Sequence, residues 1–195
     1  MDALQYALKK KPIIASITRD ADFTEVLQSS ANVAFFLNSD ILTLSSMVNA
    51  LHSAGKLSFV HLDLMTGIAR DSSGIKFLAE HIGIDGIVTT RTNLISMAKQ
   101  HELITIQRSF ILDSVSIDQT IKIMQDSRPD AVELLPGLVL PSVMHLLQRR
   151  RQSPIIAGGL LSTQAHVRDV LESGCIGVST SSTSLWKWQD KEFPN

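Results

Sequence analysis

Residues 154–160 read Pro154-Ile155-Ile156-Ala157-Gly158-Gly159-Leu160, and residues 176–182 read Ile176-Gly177-Val178-Ser179-Thr180-Ser181-Ser182. Each is a short apolar run that ends in small residues, and a short polar stretch with helical spacing separates them. This is the pattern of the last two strands of a β/α barrel. In such barrels the loops after strands seven and eight often form a phosphate site, because glycine lets the backbone approach a ligand and a following short helix presents free N–H groups. The two runs therefore point to a small phosphorylated ligand before they point to any reaction.

Working outward, six more β-rich runs precede this pair. Strands are predicted over residues 12–17, 33–38, 57–64, 86–90, 103–110, 131–135, 154–160 and 176–181. Helical patterns lie between them, among them 41–54, 93–101, 116–125, 141–151 and 163–173, and most begin near Asp, Ser or Thr as capping requires. Strict strand and helix alternation implies a parallel sheet with right-handed crossovers, and eight strands suit a closed (β/α)8 barrel. An open doubly wound sheet is the rival. Gly55, Gly83 and Gly174 fall just past helical stretches, where left-handed helix ends favour glycine.

Composition fits one compact barrel domain spanning residues 1–195. The 195 residues are 44% apolar and 19% charged, enough to bury one sizeable core and too few for two generous domains. A formal charge of −1 excludes a strongly electrostatic, sequence-indifferent nucleic-acid binder and leaves room for a local basic patch. The single cysteine, Cys175, cannot form an internal disulfide, and no stretch resembles a membrane span or signal peptide. A cytoplasmic location without membrane association is the expectation.

Within a barrel, alternation decides which side chains face the interior, and function belongs at the C-terminal strand ends. In Phe59-Val60-His61-Leu62-Asp63-Leu64, apolar Val60, Leu62 and Leu64 are expected against the helices, which sends His61 and Asp63 inward. The same rule turns Glu133 inward in 131–135 and Gln107 inward in 105–108. Asp63, Gln107 and Glu133 would then converge on one mouth. A buried carboxylate needs a cation, donors or a hydroxyl-rich ligand. An internal pair with Arg91 or Arg108 is the alternative destination. Arg91, just past strand four, sits where it can reach a phosphate or carboxylate. His61 reads more simply as a hydrogen-bonded core histidine than as a catalyst.

Several segments occur in one order: 61–64 with Gly67, 85–90, Gln107-Arg108-Ser109-Phe110-Ile111-Leu112-Asp113-Ser114, Glu133-Leu134-Leu135-Pro136-Gly137, 156–160 and 178–181. Over about residues 12–186 this set resembles the glycerol-3-phosphate-responsive antiterminator family, the glycerol uptake operon regulators. The resemblance implies a sensor of glycerol 3-phosphate, with no cofactor or metal, that acts on leader mRNA to prevent premature termination of transcription. It implies that Gly158, Gly159, Ser179, Thr180 and Ser181, with the adjoining Ser182, hold the phosphate. Asp63, Arg91, Gln107 and Glu133 are then the expected polar contacts to the rest of the ligand.

The alternative is an enzyme, an isomerase or synthase acting on a small sugar or polyol phosphate, with Asp63 and Glu133 as acid and base. Against it, no lysine falls in the strand cores or at their C-terminal ends, so a Schiff-base aldolase lacks its nucleophile, and no histidine cluster offers a metal site. On the RNA side, Lys9-Lys10-Lys11 precedes strand one and Arg149-Arg150-Arg151 precedes strand seven, which places both runs on the bottom of a closed barrel. Six cations there would engage several phosphates. The arginines equally suit a helix C-terminus. Aromatic residues are only 5% of the chain, so no base-stacking platform is legible. Trp186 and Trp188 are open between capping the barrel, contacting RNA and burying a homodimer seam.

Overall fold

The computed structural model describes residues 3–148 and 153–194. Eight parallel strands pair in chain order: β1 (Ile13–Ile17), β2 (Val33–Phe36), β3 (Leu57–His61), β4 (Gly86–Thr89), β5 (Ile104–Phe110), β6 (Ala131–Leu135), β7 (Ile155–Gly158) and β8 (Gly177–Thr180). β8 returns to β1, with Ile14 opposite Ser179 and Ala15 opposite Thr180. The ring is closed and leaves no unpaired sheet edge. The expected (β/α)8 barrel is the fold, and the open doubly wound sheet is not.

Nine α-helices are seen among the described residues: α1 (Ala3–Lys10), α2 (Phe23–Gln28), α3 (Ile41–Ser53), α4 (Ser72–Phe77), α5 (Thr92–Lys99), α6 (Ser114–Ser127), α7 (Leu140–Gln148), α8 (Gln164–Glu172) and α9 (Thr183–Glu192). α6 shows how local sequence sets them. The Asp113 carboxylate accepts from Ser116 N–H at 2.8 Å while the Ser116 hydroxyl accepts from Asp113 N–H at 3.0 Å, a reciprocal capping box. From there Ile117, Thr120, Ile121 and Met124 recur at helical spacing and are buried. Gly55, Gly83 and Gly174 all have positive φ, at 71°, 78° and 101°, as expected for chain reversals after helices.

Two apolar cores result. The larger lies between strands and helices and holds Val60, Ile87, Val132, Leu134 and Val178 against Leu44, Val48, Leu94, Ile121, Val167 and Trp186. The smaller fills the barrel, where Ile14, Val33, Phe35, Phe59, Val88, Ile106, Ala131 and Ile156 meet. Its floor is closed by α1, a helix that strand and helix alternation does not call for because it precedes the first strand. Leu4, Ala7 and Leu8, at i, i+3 and i+4, join the inner cluster. α9 packs on the outside of the barrel against β1 and α2: fully buried Trp186 donates from Nε1 to the Thr180 carbonyl at 2.8 Å, and the Gln189 side chain accepts from Ile13 N–H at 3.1 Å. Trp186 is therefore a packing residue. Half-buried Trp188 meets the Phe193 ring edge-on and lies under the Arg168 guanidinium.

Two sequence expectations are corrected here. In β5 the alternation runs opposite to that predicted. Ile106 belongs to the inner cluster, so Arg108 shares its inward face while Thr105, Gln107 and Ser109 face the helices. Gln107 is buried there and donates from Nε2 to the Thr90 carbonyl at 2.8 Å, and Ser109 meets Thr120 of α6 at 2.8 Å. The second concerns the basic run before β1. Lys9 and Lys10 are exposed on α1, with the Lys10 ammonium over the Tyr6 ring, but Lys11 is buried and donates to the Phe193 carbonyl. Lys11 thus ties the chain end to the barrel and is not a surface cation. Arg149, Arg150 and Arg151 lie outside the described residues.

Candidate functional site

The strands end at a mouth in which one cavity of about 420 Å3 opens. Its walls are Ser16, Leu37, Arg108, Glu133 and Leu135 from the strand ends, 159–162 from the loop after β7, and 179–182 from the end of β8 and the turn into α9. Five of the six residues expected to hold a phosphate, Gly159, Ser179, Thr180, Ser181 and Ser182, line this one space. The sixth, Gly158, does not appear in the wall. A Cβ built there would lie 2.7 Å from both Glu133 Oε1 and Ser179 Oγ, so Gly158 makes room for those two side chains.

The loop after β7 turns through two successive left-handed residues, Gly159 at φ 76° and Leu160 at φ 60°. Glycine takes this conformation freely, whereas leucine is strained in it, and such strain gathers where a backbone must meet a ligand. Leu160 is 71% exposed, so packing does not explain its placement. Across the cavity, Thr180 donates its hydroxyl to the Leu161 carbonyl at 2.8 Å and locks the two loops together. α9 begins directly after Ser182, whose hydroxyl pairs with Ser184 instead of capping the helix. The N-terminal N–H groups and the positive dipole end of α9 therefore stand at the cavity rim.

Beneath the loops sits a buried ion pair. Glu133 is wholly buried; Arg108 donates from Nε to its Oε2 at 2.6 Å, and the Ser179 hydroxyl donates to Oε1. Both Glu133 oxygens have partners, as burial of a carboxylate demands. Arg108 is the site residue that sequence reading passes over, entering there only as a partner for a carboxylate. Its signal is its register, two residues beyond inward Ile106 and opposite Glu133.

The other expected contacts are placed apart from the cavity wall. β3 ends at His61, so Asp63 sits in the following turn. There its carboxylate accepts from Thr90 N–H at 2.7 Å and from the Thr90 and Thr89 hydroxyls at 3.0 and 3.1 Å, with Arg91 Nε at 3.3 Å. Burial works to raise the Asp63 pKa, but the Thr90 and Thr89 hydrogen bonds and the attraction of His61 together hold it below the usual carboxylate value. Arg91 points its guanidinium at this carboxylate and is otherwise exposed. Asp63 and Arg91 form one cluster beside β4, Glu133 and Arg108 another inside the mouth, and Gln107 belongs to neither. Lys56 lies far below: its ammonium is buried and donates to the carbonyls of Ser29 and Ala31 at 2.6 and 2.7 Å, away from the strand C-terminal ends.

A closed ring of eight parallel strands with its polar cavity at the C-terminal mouth places the molecule among the TIM-type (β/α)8 barrels. Among these its sequence is specific: residues 13–186 match the family model of the glycerol-3-phosphate responsive antiterminator, and the chain belongs to that family. It is similar to the glycerol uptake operon antiterminator regulatory protein of Listeria monocytogenes, at 36% identity over 89% of this chain and 94% of that one, with a TM-score of 0.82. A glycerol uptake operon antiterminator-related protein of Thermotoga maritima is 33% identical over 91% of this chain and 98% of that one, with a TM-score of 0.80. The uncharacterized protein YgcP of Escherichia coli K12 is 31% identical over 94% of this chain and 95% of its own length. Aldolases and a decarboxylase at 10–12% identity share the fold alone. The family is one of regulators, and no helix among the described residues is long and apolar enough to cross a membrane.

Proposed function

We propose that this protein senses glycerol 3-phosphate at the mouth of its barrel and, when loaded, binds leader mRNA of glycerol-utilisation genes to prevent early termination. The observation that carries the sensing half is the convergence of 159–162 and 179–182 on one cavity whose inner wall holds Arg108. Backbone N–H groups of a left-handed turn, serine and threonine hydroxyls, a helix N-terminus and a guanidinium are the donors that a phosphate dianion takes. The cavity is larger than a phosphate alone and leaves space for a short polyol tail beside Glu133. The exposed cations Lys9 and Lys10 on α1 support RNA contact at the opposite end of the barrel.

Thermal denaturation tests the effector. At 100 times its dissociation constant, glycerol 3-phosphate stabilises the fold by about 2.7 kcal/mol, while glycerol at the same concentration leaves the melting temperature unchanged. Gly159→Val, which forces a branched residue to φ 76°, abolishes that shift in a protein that still folds. Equal shifts from both compounds, or none from either, count against the sensor. Turnover of glycerol 3-phosphate to a product would favour the enzyme instead.

A further inference from the structure

The carboxylates of the mouth are already satisfied. Glu133 accepts from Arg108 and Ser179, and Asp63 accepts from Thr89 and Thr90. Each has donors of its own within the protein, so neither carboxylate calls for a ligand. One buried polar group on the inner face is different. His61 is only 4% exposed, and its Nδ1 has no hydrogen-bond partner among the described residues. A buried ring nitrogen left bare has lost its water without gaining a bond in return, so such a group signals a missing partner.

Three placements say where that partner comes from. His61 follows inward Phe59 by two residues and faces the barrel axis, while Val60 between them lies in the outer core. It is the last residue of β3, at the level of the mouth, close enough to Arg108, Asp63 and Glu133 for their charges to act on its ring. In a ring closed in chain order, β3 stands diametrically across from β7 and β4 across from β8. A ligand held by its phosphate in the loops after β7 and β8 would direct its other end across the axis toward β3, beyond the present cavity wall, which His61 does not line. Burial, and next the charge of Arg108, lower the His61 pKa, outweighing Asp63, Glu133 and the carbonyl of its own residue, which is not in hydrogen-bond geometry with Nδ1. A neutral imidazole pairs with a hydroxyl without importing charge.

Resting on the sensor reading above, we infer that His61 is the hydroxyl-reading residue of the effector site: its ring turns Nδ1, closed off from solvent here, to a hydrogen bond with a polyol hydroxyl carried across the barrel from the phosphate loops. Glu133 then holds the Arg108 and Ser179 donors in place. His61 distinguishes a hydroxylated phosphoester from one with a bare alkyl tail.

The test pairs two ligands with three proteins. Glycerol 3-phosphate and n-propyl phosphate share the phosphate and the three-carbon chain and differ only in the two hydroxyls. Affinities are measured by calorimetry for the full chain as wild type, His61→Phe and His61→Asn, the last placing an amide atom near the position of Nδ1. Wild type is expected to prefer glycerol 3-phosphate. His61→Phe loses that preference through a fall of about ten- to hundredfold in glycerol 3-phosphate affinity, with n-propyl phosphate unchanged. His61→Asn recovers part of it. An unchanged preference in His61→Phe overturns the inference and shows that Nδ1 takes no ligand hydroxyl. An equal fall for both ligands overturns it in favour of a packing role, and His61→Asn decides the matter in the same way if the phenylalanine variant does not fold. Equal wild-type affinity for both ligands also overturns it while leaving the phosphate site standing; absence of binding to either removes the sensor reading as well.

Discussion

The floor and the mouth of this barrel are lined by the same eight strands and made of different chemistry. At the floor, Leu4, Ala7 and Leu8 of α1 press on Phe35 and Phe59, whose rings pack at 5.6 Å. Two residues further along the strands, the inner positions become Ser16, His61, Arg108, Glu133 and Ser179. The floor secures the fold by burying apolar area, a non-directional term that tolerates variation in detail. The mouth depends on directed bonds between charged and polar groups, where one missing partner is costly. A barrel separates the two demands along its axis, so the site can hold buried charges that an apolar core alone would not reward.

That contrast can be broken most sharply at the ion pair. Arg108→Met leaves Glu133 buried with only the Ser179 hydroxyl, and the expected loss is about 3–5 kcal/mol in urea denaturation. Adding Glu133→Leu should restore most of that stability while leaving the cavity unable to hold phosphate. A loss below about 1 kcal/mol in the single variant would mean that the pair is solvated and the mouth is not a dry site.

At the floor, Leu8→Ala should cost roughly 3 kcal/mol through lost burial and a cavity beside Gly177, lowering the melting temperature by about 2–4 °C per kcal/mol. Ligand selectivity should survive, since no residue of α1 touches the mouth cavity. If selectivity fell in step with stability, floor and mouth would be one cooperative unit and the axial division would be wrong.

The smallest effect on the fold is expected at the outside of the floor. Replacing Lys9 and Lys10 together by Gln should alter stability by less than about 0.5 kcal/mol. Their loss should reduce leader RNA affinity and flatten its salt dependence by about 1.4 in log–log slope, 0.7 for each single-strand phosphate contact removed. Filter binding at two or more salt concentrations, with and without glycerol 3-phosphate, measures it. An unchanged slope would move the RNA face elsewhere on the molecule.

The sequence by itself determined the barrel and the end of it at which the candidate cavity opens. Strand and helix alternation repeats eight times, and the turns after strands seven and eight carry small residues because their backbone and hydroxyls must come close together; both signals are local. It also gave the two-residue period of every strand. It could not give the phase of that period in β5. Every strand of a closed barrel is covered on both sides, by the inner core and by the helices, so an apolar residue fits either face and polarity alone does not say which is inside. The rule that polar residues face the axis succeeds at His61 and Glu133 and fails at Gln107, which finds the Thr90 carbonyl on the helix side while Arg108 turns in to Glu133. Lys11 and α1 teach the same lesson, since what buries that lysine is a carbonyl 182 residues away. Pairings between distant segments are decided when the ring closes, because only closure fixes which strand ends face each other across the axis.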